Sequence, residues 1–367
     1  VDRTLTDGRT AYARLEIDLG AIVANWRTLK ASHGGNPTAG VLKADAYGTG
    51  AIHVAPALLA AGCKHFFTAH LEEALAIRSL VPGAMLAVLN GPLPGSEAEY
   101  VAHGIHPVLG SPDDIARWSR QARTVGRPLP ALVHIDTGMN RLGLTLADVT
   151  TLANDPWRLA GLQIDYWMTH LVAADAKTNP ISLEQVRKFS AACAILPTAR
   201  RSVANSCGIY LGDAFRSDLA RPGAGLYGIN PIDGEPNPMR PVARLLARVL
   251  QVREIAAGEA VGYNEAWRAV RPSRIGVVGV GYADGLPRAL SNNGAASFDG
   301  RVVPLVGRVS MDLITFDITD NPRIVAGSWL ELLGPDRPLA EVAGEGGISP
   351  YELLTHLGRR YARVWQA

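Results

Sequence analysis

The segment VLKADAYGTG, residues 41–50, sets Lys43 directly after the apolar pair Val41-Leu42 and places Tyr47 one short turn later. An ammonium group at the carboxyl end of a buried strand loses solvation. Its pKa falls, leaving a free amine able to attack an aldehyde and form an imine. The same position also suits a lysine that lays its stem on apolar surface and returns its charge to water. The three cysteines, Cys63, Cys193 and Cys207, lie far apart with no CxxC spacing. They read as buried thiols, with neither a disulfide framework nor a metal site implied.

The surrounding elements must present that lysine. Short apolar runs at 39–43, 65–69, 85–90, 106–109, 130–136, 162–170, 200–206 and 219–227 alternate with helical patterns, the signature of repeated βα units. Eight such runs predict an α/β fold, a (βα)8 TIM-type barrel over residues 11–240, and Lys43 then stands at the strand end that faces the reaction site. Helix starts have a visible mechanism. Asp18 caps a pattern of Leu19, Ile22, Val23, Trp26 and Leu29, Ser111 with Asp114 opens another, and Ser182 with Gln185 repeats the device. SEAEYVAHG offers only a weak helix between the third and fourth runs. NPIDGEPNPMRP, residues 230–241, reads as a linker. Beyond it, ARVLQVREI, RIGVVGVGY, RVVPLVG and VSMDLITFDI predict a mostly-β domain over 241–367, which residues 1–10 are expected to join.

Composition excludes several partners. With 47% hydrophobic and 19% charged residues the chain is an ordinary globular protein, and 36 basic residues against 34 acidic ones give a net charge of +2. No basic run with interleaved aromatics suggests nucleic acid or an anionic membrane. No apolar stretch reaches the roughly 18 residues that span a bilayer, and VDRTLTDGRT lacks the pattern of a secretory signal. A cytoplasmic enzyme is the expectation.

KADAYG at 43–48 resembles the cofactor-lysine motif of alanine racemases, pyridoxal-phosphate enzymes built from a barrel and a C-terminal β domain. HIDTGMNRLGL at 134–144, MTHLVAAD at 168–175, ANS at 204–206, RPGAGLYG at 221–228, VGYN at 261–264, GYADGLPR at 281–288 and GRVSMD at 307–312 match in the family's order. The resemblance implies racemisation of L-alanine and D-alanine by two bases acting on the cofactor adduct of the substrate, supplying D-alanine for peptidoglycan. It implies that Lys43 holds pyridoxal phosphate and moves a proton on one face of the α-carbon. Tyr263, supplied by the second subunit of a homodimer with shared active sites, serves the other. Arg221 then faces the pyridine nitrogen, with His170 hydrogen-bonded to it. Arg141 reaches the cofactor's phenolic oxygen and the substrate carboxylate. Tyr47, Ser206, Tyr361 and the amides of Gly223 and Ala224 hold the phosphate. Met311 offers its amide to the substrate carboxylate, Tyr282 lines the entrance, and Asp175, Arg288 and Arg308 match positions along the access corridor.

Two positions depart from the family. His134 stands where many members carry a lysine that becomes carbamylated, and Ser202 where a histidine often lies beside the cofactor ring. A broad-specificity or serine-preferring racemase shares Lys43, Tyr263 and Arg221. A non-enzymatic pyridoxal-phosphate carrier resembles the barrel alone, and Tyr263 and Met311 in a second domain argue against it. A basic amino-acid decarboxylase of related fold and a cofactor-free barrel enzyme acting on phosphate substrates are the remaining alternatives.

Overall fold

The computed structural model describes residues 10–366. The chain divides into two compact units, one of residues 22–240 and one that joins the segment up to residue 21 to residues 241 onward. The expected barrel starts at residue 11. In the structure strand β1, Ala13–Asp18, is instead a central strand of the β unit. The alternation in ARLEID explains this: Leu15 and Ile17 are fully buried while the residues between them are not. Residues 1–9, expected to join the same unit, lie outside the described residues.

In the larger unit the apolar runs become parallel strands β2 Gly40–Val41, β3 His65–Thr68, β4 Met85–Val88, β5 His106–Leu109, β6 Leu129–His134, β7 Leu162–Met168 and β8 Arg200–Ser202, hydrogen-bonded in that order. The eighth expected run yields only single bridges: Leu219 pairs with Ser202 and Ala220 with Thr38, which closes the ring from β8 back to the segment before β2. Pro222 and the glycines after it end the pairing, and Ala224–Tyr227 winds into a short 3-10 turn. Ala39, Val41, Phe67, Ala87, Val108, Leu132, Tyr166, Met168 and Leu219 fill the interior, so the barrel is a packed core with its chemistry at the rim.

The helices follow most of the local signals. Asp18 Oδ1 accepts from the Ala21 amide at 2.7 Å, and Ser111 Oγ accepts from the Asp114 amide at 3.1 Å. The weak SEAEYVAHG pattern forms the helix Glu97–His103. Ser182 differs from expectation. The helix Ile181–Ile195 begins one residue before it, after Pro180, so Ser182 lies inside the first turn and Gln185 is freed for another use.

The β unit sets β1 between β9, Ala243–Ile255, and β17, Ala362–Gln366. The linker does give way to strand, and β9 is the longest described element of this unit. Short β10 Ala260–Val261 pairs with β11 Trp267–Arg268. Then β12 Ser273–Val278, β13 Ala295–Phe298, β14 Arg301–Pro304, β15 Ile314–Asp317 and β16 Trp329–Leu333 complete antiparallel ladders on either side of β9. Two helices absent from the sequence reading, Leu339–Glu345 and Pro350–His356, precede β17.

A polar cluster sits at the amino ends of the barrel strands. His65 Nε2 is 3.2 Å from Tyr166 Oη, His106 Nδ1 is 2.8 Å from Asp165 Oδ2, and the Arg200 guanidinium lies 4.2 Å over the Tyr166 ring. Burial, reinforced by Arg200 and opposed by Asp165, pushes His65 down to about 4. The unfolded chain therefore binds more protons than the folded one between about pH 6.5 and about 4. Stability from this group is complete above that window and is lost as pH falls through it. The thermal midpoint is expected to fall across the window, and to fall less in His65→Gln, whose amide can keep a bond to Tyr166. Equal falls in both proteins, read by circular dichroism, contradict this.

Candidate active site

Lys43 leaves β2 into an unusual turn. Ala44, Asp45, Ala46 and Tyr47 have φ of 53, 53, 54 and 54°, a run of left-handed residues none of which is glycine. Each costs on the order of 1–2 kcal/mol relative to the right-handed conformation, so surrounding bonds must hold them. Leu42 N donates to Phe67 O at 2.7 Å, Gly48 N to Ala44 O at 2.8 Å, and Asp45 Oδ1 accepts from the Ala51 amide at 2.7 Å. The turn carries Lys43 Nζ to 6.0 Å from the Tyr47 ring centroid. Burial and the Arg141 cation lower the Lys43 pKa, with Glu73 opposing.

Tyr47 stacks on Tyr227 at 4.6 Å between centroids, and Tyr227 Oη donates to Val41 O at 2.8 Å. The Tyr47 hydroxyl rests against Gly223, where a Cβ would sit 2.3 Å from Oη, so only glycine fits. Ser206 Oγ accepts from the amides of Gly223 and Gly225, each at 3.1 Å. Tyr47, Ser206, Gly223 and Ala224 are thus brought into one backbone-lined cradle, the arrangement that receives anions.

Arg221 is buried, and its donors go to Ser202 Oγ and, at 2.6 Å, to Thr169 O. The hydrogen bonds expected from His170 are taken by these neutral oxygens. Ser202 Oγ in turn donates to Leu219 O at 2.7 Å. Burial brings the guanidinium down to about 10, which still leaves it charged at neutral pH. His170 is held at about 3 by burial first, then by Arg221 and Arg141, with the neighbouring His134 and Lys43 adding less. His134, the last residue of β6, is held at about 4 by burial and Arg221. Both imidazoles are therefore uncharged at pH 7, and the rim sets the cations Arg141 and Arg221 beside the Lys43 amine.

Arg141 is exposed, on a loop organised by Asp136. Asp136 Oδ1 accepts from the amides of Gly138 and Met139, and Oδ2 from that of Asn140, all at 2.8 Å. Asp175 is exposed on the loop after β7.

The remaining residues belong to the β unit. Tyr263 is 70% exposed, which is unusual for a phenol expected to transfer protons. Gly262 before it has φ 79°, and a Cβ there would meet the Arg308 amide at 3.2 Å. Tyr282 N donates to Ser310 O at 3.0 Å and Ala283 N to Met311 O at 3.1 Å, so Tyr282 and Met311 share one junction and both are exposed. Asn292 ties these loops together, donating to Ala266 O and accepting from the Gly307 amide. Arg288 is exposed on the adjoining turn. Tyr361 is buried, with its hydroxyl donating to Asp284 O at 2.7 Å. Arg360 grips both carboxylate oxygens of Asp284, at 2.7 and 2.8 Å, and also reaches Asp312 at 2.7 Å.

Several supporting residues escape the sequence reading. Gln185 Nε2 donates to Thr137 Oγ1 at 3.1 Å and His170 O at 3.0 Å while Oε1 accepts from Val172 N at 2.9 Å, binding the loops after β6 and β7. Thr169, Asp136 and Glu73 complete the set. Asp136 carried a usable signal, because Asp followed by Thr-Gly is an Asx-turn pattern. Gln185 and Thr169 act across the fold, whereas Glu73 caps its own helix at the His70 amide, which gives no local hint of its reach to Ala44.

Models of the alanine racemase N-terminal and C-terminal domains match residues 17–231 and 242–365. The alanine racemase of Acidiphilium cryptum is 52% identical over 353 residues, 96% of this chain and 98% of that protein. A catabolic alanine racemase of Agrobacterium fabrum is 44% identical over 358 residues, 97% of this chain and 92% of that protein. A crystal structure of alanine racemase from Bartonella henselae with covalently bound pyridoxal phosphate has a TM-score of 0.94 at 41% identity, covering 97% of this chain and all of that one. With both domain models matched in order and relatives alike along nearly its whole length, the chain belongs to the alanine racemase family.

Proposed function

We propose that the chain is a pyridoxal-phosphate-dependent isomerase that interconverts L-alanine and D-alanine, working in the cytoplasm as a homodimer. The strongest support is a convergence at one barrel rim: a lysine of lowered pKa, a buried uncompensated arginine and a cradle whose glycine cannot carry a side chain. These residues fit the cofactor. Lys43 would hold it covalently, and Tyr47, Ser206 and the backbone of Gly223 and Ala224 would receive its phosphate, with Tyr361 assigned there by family resemblance; the Gly223 amide and the Tyr361 hydroxyl, which donate to Ser206 Oγ and Asp284 O, would have to turn to it. Arg221 would face its ring nitrogen. When bound there, pyridoxal phosphate supplies the electron sink that makes the α-hydrogen of an amino acid acidic.

The residues of the chain do the rest. Lys43 takes or returns a proton at the α-carbon on one face, and Tyr263 of a second copy does so on the other. A base that returned its proton to the same face would regenerate the same enantiomer, so two are needed. The exposure of Tyr263 in a single chain supports its delivery to a neighbour's site. Arg221 keeps its proton at neutral pH, so it would donate a hydrogen bond to the ring nitrogen of a bound cofactor without protonating it, which would restrain side reactions. His170 stands beside that guanidinium as an uncharged ring. Arg141 and the Met311 amide would orient the substrate carboxylate, Tyr282 the entrance, and Asp175, Arg288 and Arg308 the approach of the zwitterion. A neutral His134 cannot take the part of a carbamylated lysine, so the Arg141 loop relies on Asp136.

Optical rotation of L-alanine with the purified protein tests the activity, and a constant signal contradicts it. Lys43→Ala is expected to abolish racemisation and the visible absorbance of bound cofactor. Tyr263→Phe is expected to slow racemisation by about 10²–10⁴-fold while one enantiomer keeps exchanging its α-hydrogen with solvent. Equal small losses for both enantiomers contradict the two-base scheme. Some relatives are named catabolic; we place this chain on the supply side, so a strain lacking it should require D-alanine for peptidoglycan, and growth without the supplement points to consumption.

A further inference from the structure

Glu73 lies on the helix Leu71–Arg78, away from the motifs that suggest chemistry, yet it makes three bonds to the rim. Its Oε1 accepts from the Ala44 amide at 2.6 Å, the first amide after Lys43. Its Oε2 accepts from the amides of Ala69 and His70, at 2.8 and 3.1 Å. One carboxylate therefore fastens the exit of β2 to the exit of β3. Ala44 is also the first of the four left-handed residues, so its amide is the point from which that strained turn departs. Charge-assisted bonds of this kind are roughly twice as strong as neutral ones. At the far end of the turn the Asp45 bond to Ala51 is the corresponding fastening.

We propose that Glu73 is a positioning residue for the catalytic lysine: its carboxylate latches the left-handed turn that aims Lys43 and sets the local charge against which the amine works. This deepens the racemase reading and rests on it for the role of Lys43. The other groups facing the amine are Arg141 from the loop after β6, His170 from the loop after β7 and the Tyr47 ring on the turn itself. Of these, Arg141 opposes protonation and the His170 ring is uncharged at neutral pH, which leaves Glu73 as the anion that favours the ammonium form. An amide in its place cannot serve both sides. If the oxygen stays with Ala69 and His70, an N–H group meets the N–H of Ala44, and the latch opens. Removing the negative charge also makes the amine easier to deprotonate.

The test compares Glu73→Gln and Glu73→Asp with Glu72→Gln, a neighbouring exposed carboxylate, in the cofactor-loaded protein. Hydrogen exchange over residues 41–50 is expected to quicken at least about tenfold in both Glu73 variants, the loss of one charged hydrogen bond, and to stay unchanged in Glu72→Gln. The acid limb of the kcat profile is expected to move to lower pH in Glu73→Gln and to move less in Glu73→Asp, which keeps the charge. Exchange within twofold of the parent in the Glu73 variants, or an acid limb that stays in place in Glu73→Gln, overturns the proposal. Exchange reads the latch whatever reaction the protein catalyses. A parent protein without visible cofactor absorbance would count against the racemase reading while exchange still decides the role of Glu73.

Discussion

Burial of positive charge at the barrel rim, offset by Glu73 near Lys43 but met at Arg221 by neutral oxygens, is the constraint on which the site depends. Arg221 is buried and bonded only to neutral oxygens, Lys43 is partly desolvated, and Arg141 acts on both lysine and imidazoles. Removing a cation from water costs several kcal/mol unless something offsets it. The protein lowers part of that cost by holding His134 and His170 neutral, so that two further positive charges are not added beside Lys43, Arg141 and Arg221. What remains is a standing attraction for an anion with several acceptor groups, which a phosphorylated cofactor carrying a phenolic oxygen supplies.

The second constraint is backbone conformation. The lysine is presented by four consecutive left-handed residues, and the backbone cradle beside it by a glycine packed directly on the Tyr47 hydroxyl. Neither arrangement tolerates ordinary variation. Tyr47 connects them, since it closes the left-handed run, stacks on Tyr227 and lies against Gly223. A shift in the lysine turn is therefore felt in the cradle, and the carboxylates of Glu73 and Asp45 share the work of preventing it.

Repeated βα grammar made the barrel legible because parallel strands buried on both faces read as continuous apolar runs. Its closure was less legible: Leu219 and Ala220 pair through single bridges, and proline and glycine interrupt the run that was to be the eighth strand. Strand β1 was misassigned because a central strand of the β unit precedes the barrel in sequence, and no local pattern says with which later segment it pairs. Lys43, Tyr47 and Arg221 could be found from motif and position. Ser202 was noted only as a departure, whereas it is a direct partner of Arg221. Gln185 and Glu73 could not be found, since each looks like an ordinary helix residue until the loops it holds come together.

Reduction of the purified protein with borohydride, followed by digestion and mass spectrometry, tests the central claim most directly. A pyridoxyl-phosphate label on the peptide containing Lys43, and on no other lysine, is the predicted result. A reduced protein with no label, or with the label on Lys64, Lys177 or another surface lysine, would contradict the account.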